Sequence, residues 1–170
     1  MQIAEVQAVI DSAKAVGMEP LERFIRKRLP DASPAEIVEA ADLAAEIIEA
    51  IPIFLARAAQ EASERHLSLV VQPLLDHAEH YFLRPVDLMP EMTQGLAGLL
   101  DDAYLVLRVL QNLEKGPEPF LDWDLDYPAA FIRRLVGERV GHRLDVLSLA
   151  AMQELSDRLS TFWSQMAHEA

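Results

Sequence analysis

The fifteen residues from 99 to 113 constrain this chain more than any other stretch. Leu100, Ala103, Leu105, Val106, Leu107, Val109, Leu110 and Leu113 leave almost no polar face on a helix of that length. A helix that is apolar nearly all round is stable only when other elements surround it. The segment is therefore expected at the centre of the fold, opened by Asp101 and Asp102 at its first turn.

The surrounding segments also carry helical periodicity, and none shows strand alternation. Ile3, Val6, Ile10 and Ala13 predict a helix over 2–16, stopped at Gly17. Pro20 suits the first turn of a short helix that ends before Pro30. Ser33-Pro34-Ala35-Glu36 reads as a capping box. The helix that follows carries Glu36, Glu39, Asp42, Glu46 and Glu49 on one side, a solvated face or a cation-binding stripe. Pro52 is expected to bend or end it. A helical pattern resumes over 53–82, perturbed at Pro73, and a Pro/Gly-rich stretch follows over 85–98. After a break at 115–119 and an acidic aromatic loop over 120–127, two more helices fit 128–140 and 144–166. The expectation is an all-α fold: one domain over 1–170, a compact bundle of about seven helices with proline kinks.

Composition narrows the function. The 170 residues contain no cysteine, which excludes disulfides, iron–sulfur clusters, thiolate zinc and thiol nucleophiles. A net charge of −13 argues against a nucleic-acid binder. The longest stretches without a charged residue, 66–75 and 159–168, are ten residues long. A membrane span needs about 20. With no signal-like start, the chain is expected to be soluble and cytoplasmic, without a transmembrane span. Arg23, Arg26, Lys27 and Arg28 form a dense basic cluster, read as the solvated face of a short helix or as a peripheral membrane contact.

One constellation stands out. Pro85, Asp87, Leu88 and Pro90 are followed by Gly98, Asp101 and Asp102. Mechanically, the prolines stiffen the connection and Asp87 caps a turn beginning at Leu88. Gly98 frees the backbone to turn. Asp101 and Asp102 meet the unpaired amides and positive dipole of the buried helix. In helical register Asp102 lies with Val106 and Val109, so it is expected to be partly buried, while Asp101 lies with Tyr104 and Arg108. The rival reading is a divalent-metal site. Asp87, Glu91, Asp101 and Asp102 supply four carboxylates, with His77 and His80 as neighbours. Against a ligand role, His77 shares a face with Val70, Leu74 and Tyr81, as a hydrogen-bonded core histidine would.

The order and spacing of Pro85, Asp87, Leu88, Pro90, Gly98, Asp101 and Asp102 resemble the YkvA-like family, a bacterial domain of unknown function (domain of unknown function 1232). Glu91 stands where that family has Asp, and Gln94 near a usual proline. The resemblance is centred on the region 82–114. It implies a helical domain and assigns no activity.

Other patterns fail specific tests. Asp122, Asp124 and Asp126 begin like a calcium loop, but Tyr127 and Arg133 occupy its glycine and glutamate positions. Asp126 is expected to cap the next helix. Phe120, Trp123 and Tyr127 either pin their loop to the core or grip a partner. Gly137 and Gly141 read as close packing and a helix stop at Gly141, with Glu138 and His142 on one face if the helix continues. No phosphate loop, Gly-x-Ser-x-Gly elbow or His-Glu-x-x-His occurs, so no catalytic residue can be named. The functional expectation is a non-enzymatic interaction or regulatory adaptor, meeting a protein partner or a second copy of itself. The alternative is a divalent-metal-binding domain or metal-dependent enzyme using the four carboxylates. Nine acidic residues against two basic ones over 85–126 place much of the negative charge around the motif.

Overall fold

The segment expected at the centre is there. In a computed structural model, which describes residues 2–83, 95–114 and 124–169, Leu100–Glu114 forms a helix (α5) packed against four others. Every residue from Leu100 to Leu107 is buried. Around it run α1 (Ile3–Ala15), α2 (Glu19–Arg28), α3 (Pro34–Glu64), α4 (Ser68–Leu83), α6 (Asp126–Val136) and α7 (Glu138–Glu169). A 3-10 segment, Gly95–Leu99, leads into α5 and rests on α1 and α2. No strand occurs among the described residues. The fold is an all-α helical bundle.

The capping box forms as expected: the Glu36 N–H donates to Ser33 Oγ at 3.2 Å, and the Ser33 N–H to Glu36 Oε1 at 3.0 Å. Three boundaries differ from the sequence reading. First, α3 runs through Pro52 for 31 residues. An interior proline costs about 3 kcal/mol. Fully burying one aliphatic side chain contributes about 1.5–3 kcal/mol. Ile48, Ile51 and Leu55 are all fully buried around Pro52, so packing outweighs the lost hydrogen bond.

Second, the break comes at Arg65–Leu67, with no glycine to announce it. His66 takes φ 59°, its N–H donates to the Ser63 carbonyl at 3.1 Å, and the Leu67 N–H to the Ala62 carbonyl at 2.7 Å. These two bonds are the Schellman helix stop, made with a histidine in the left-handed position.

Third, the α6–α7 break falls at Gly137 (φ 88°) rather than Gly141, which lies inside α7. A Cβ at Gly141 would stand 3.0 Å from Arg133 Cγ, so this glycine marks a close approach. Likewise, the left-handed residue ahead of α5 is Gly95 (φ 63°) and not Gly98, which sits within the 3-10 segment.

Candidate functional site

The motif is only partly within the described residues. Pro85, Asp87, Leu88, Pro90, Glu91 and the aromatics Phe120 and Trp123 lie outside them. Asp101 and Asp102 occupy the first turn of α5, as expected, and both are buried, at 4% and 2% exposure. Asp102, expected to be partly buried, is buried fully, and Asp101 with Tyr104 on its own side of the helix is buried as well. The helix is enclosed on both sides. Asp101 Oδ1 accepts the Asp102 N–H at 2.9 Å, which satisfies one free amide of the helix start.

His77 is not a core residue. It is exposed, stacked edge-on to Tyr81 at 5.1 Å between ring centroids, and His80 is exposed as well. The buried stripe of α4 is Val71, Leu74, Leu75, Ala78 and Phe82, displaced by roughly 90° around the helix from the expected face. The polar residue this rotation buries is Glu79, at 2% exposure. Its Oε2 accepts the Gln2 N–H at 2.6 Å at the start of α1, while Oε1 has no partner. Burial raises its carboxyl above the ordinary glutamate range, and the Gln2 bond opposes that only in part. Among the described residues, no three His, Asp or Glu side chains converge as a metal site would require.

The acidic face of α3 is a solvated one. Glu36, Glu39, Asp42 and Glu46 are exposed, and Glu49 is tied to Lys14 of α1 at 2.7 Å. The α6 start is also revised. Leu125 is the N-cap residue, and Asp124 Oδ1 accepts the Asp126 N–H at 2.9 Å, so Asp124 rather than Asp126 closes the turn. Tyr127 is exposed rather than pinned to the core. Because α7 continues through Gly141, Glu138 and His142 share a face, and Glu138 pairs with Arg133 at 2.8 Å.

Among the described residues, one polar constellation is one that spacing could not reveal. Asp145 of α7 accepts the Tyr104 hydroxyl at 2.5 Å and Arg108 Nε at 3.0 Å, both from α5. Its other oxygen meets Arg133 of α6 at 3.1 Å. Arg133 Nε also donates to the Tyr104 oxygen at 3.1 Å. From Arg108 the chain of bonds continues to Gln111 and Asp126. Three helices are thus tied at one carboxylate. Burial pushes the Asp145 carboxyl up. The Tyr104 bond and the two guanidinium charges outweigh it, so the carboxyl lies below the ordinary aspartate range. Burial and the Asp145 bond raise the Tyr104 hydroxyl. Every polar group here has a partner within the network, which suits a structural clamp better than a reactive centre.

Two surface features remain. On α7, Val146 and Leu149 are 52% and 57% exposed, beside exposed Arg139, His142 and Arg143. At 100° per residue they face away from Val140, Leu144 and Ser148, which are buried. Between α2, α3 and α6 lies a cleft of about 580 Å³ with Arg28 and Arg134 in its lining. No helix among the described residues is long and apolar enough to cross a membrane. Compared with protein-family models, curated proteins and solved structures, the chain matches none of them.

Proposed function

We propose that this chain is a cytoplasmic, non-enzymatic interaction protein related to the YkvA-like family, an adaptor or regulator working through the outer face of α7. The observation that carries the reading is the pair Val146 and Leu149. Two large aliphatic side chains, three residues apart on one helix face, are more than half in water and flanked by cations. Covering them with a partner would recover about 25 cal/mol for each Å² of apolar surface removed from water. The partner is a second copy or another protein with an apolar, acid-flanked surface. Proximity labelling in the native host, comparing the wild type with a Val146→Glu/Leu149→Glu variant, tests this. Light scattering on both proteins covers the homo-oligomer case. The expected result is a defined neighbour set, or a dimer, that the folded variant loses. An unchanged neighbour set together with an unchanged mass refutes the reading.

A second reading keeps the metal site, favoured by the burial of both Asp101 and Asp102, which follow Asp87 and Glu91 in the sequence. Two adjacent buried carboxylates favour a cation or strong donors nearby. Thermal unfolding with Mg²⁺, Mn²⁺, Ca²⁺ or Zn²⁺ separates the two readings. A shift in the wild type that Asp102→Asn abolishes supports the metal. No shift with any of the four removes it.

A further inference from the structure

The outer face of α7 changes charge along its length. With Val146 as the reference and 100° per residue, Arg139, Arg143, Leu149, Glu154 and Asp157 all lie within about 80° of it, and each is exposed. Val140, Leu144, Ser148 and Ala151, on the opposite side, are buried. The basic residues Arg139, His142 and Arg143 come first, the aliphatic pair Val146 and Leu149 lies in the middle, and the acidic residues Glu154 and Asp157 come last. Among the described residues, Arg139 and Arg143 form no ion pair. The Asp157 carboxylate accepts from Gln153 of the same face at 3.1 Å. At a rise of about 1.5 Å per residue, Arg143 stands about 7 Å before the midpoint of Val146 and Leu149, and Glu154 about 10 Å beyond it. Arg139 and Asp157 stand about 13 Å before it and about 14 Å beyond it. Opposite charges thus lie at similar distances on either side of an apolar centre.

Such a face is complementary to itself turned end for end. Resting on the α7 reading above, we infer that its occupant is a second copy of this chain, with the two α7 helices packed antiparallel about a two-fold axis at Val146 and Leu149. The axis sets the aliphatic pairs of the two copies against each other in an isologous contact. It brings Arg143 of each copy level, to within about 3 Å along the helix, with Glu154 of the other and on the same flank. Arg139 and Asp157 oppose each other further out, to within about 2 Å. Symmetry makes each charge pair twice. A parallel pairing would set each cation against its own copy and each carboxylate likewise, and like charges in contact oppose association. A foreign acidic surface suits the first half of the face and is repelled by the second. Two chains of net charge −13 repel each other over most approaches, so these local pairs decide where and in which direction the copies meet. Two aliphatic side chains per copy are a small apolar centre against the roughly 800 Å² per partner of a standard stable interface. The dimer is therefore weak and forms at high concentration.

Sedimentation equilibrium of the full chain, from micromolar to millimolar concentration, tests this. The proteins are the wild type, Arg143→Glu, Glu154→Arg, the Arg143→Glu/Glu154→Arg double variant and Val146→Glu/Leu149→Glu. The wild type is expected to rise from 19.0 kDa towards twice that mass. Each single reversal sets like charges together at both symmetric contacts and is expected to weaken the dimer about tenfold. The double variant restores opposite charges and is expected to recover wild-type association, while the Val146/Leu149 variant stays monomeric. All four positions are exposed, and far-UV circular dichroism reports whether each variant is folded. A wild type that stays at 19.0 kDa throughout overturns the self-association. It leaves a foreign partner on α7, which proximity labelling decides separately. A dimer that survives the Val146/Leu149 substitutions lies on another face and overturns it as well. So does a dimer that the single reversals leave unchanged, as in a parallel pairing, or one that the double variant fails to restore.

Discussion

Replacing Asp145 with asparagine keeps the side chain's shape and removes its charge and one acceptor. Three groups lose their partner in whole or part: the Tyr104 hydroxyl at 2.5 Å, Arg108 Nε at 3.0 Å and Arg133 at 3.1 Å. The magnitude depends on how far the site is shielded. Exposed ion pairs contribute about 0.2–1 kcal/mol, and breaking a buried pair costs about 3–5 kcal/mol. Arg108, Arg133 and Asp145 retain 21%, 27% and 23% side-chain exposure. The site lies between those limits and towards the buried one, so a loss of about 2–3 kcal/mol follows. In a chain of this size each kcal/mol shifts Tm by about 2–4 °C, so the midpoint falls by about 4–12 °C. Thermal unfolding followed by far-UV circular dichroism at neutral pH measures it. The control is Asp157→Asn, which takes the charge from an exposed carboxylate that accepts from Gln153 and should change stability by no more than about 0.5 kcal/mol.

The pH dependence gives a second handle. The Asp145 carboxyl is held below its ordinary value when folded. Its stabilisation is therefore complete above the ordinary aspartate range and lost as pH falls through the depressed value. The gap between wild type and Asp145→Asn should narrow on acidification. A gap no larger than that of Asp157→Asn, or one that widens as pH falls, refutes the clamp.

Glu79 has the opposite sign. Burial raises its folded pKa, so stability is lost as pH rises from the ordinary glutamate range through the raised value. Glu79→Gln should be more stable at neutral pH by about 1 kcal/mol and lose that advantage in acid, read from urea midpoints across pH. His66→Gly relieves the left-handed strain at the α3 stop and should add about 0.5–1 kcal/mol, seen as a higher urea midpoint with an unchanged slope. Ser33→Ala removes the acceptor of the capping box and should cost about 1 kcal/mol. Chemical denaturation should show that loss with the helical signal of the native state unchanged.

What the chain determines locally was legible from its residues. The apolar run 99–113 forms the enclosed α5, because no orientation of that helix exposes a polar face. The Ser33–Glu36 box and the end of α1 before Gly17 need only near neighbours in sequence. Tertiary packing decided what such signals leave balanced. Pro52 proposed a break, and burial of Ile48, Ile51 and Leu55 overrode it. Gly141 offered a stop, yet the chain turns at Gly137 and Gly141 lies inside α7, where Arg133 packs against it. The inner face of α4 depends on where α1, α3 and α5 stand, so His77, expected in the core, lies outside and Glu79 lies within. Tyr104 and Asp145 are 41 residues apart, and Arg134 and Glu39 meet at one cleft from separate helices. Such pairings have no period or spacing in the sequence. They follow from the packing of whole helices, whose free energy is set by surfaces that are assembled only in the folded chain.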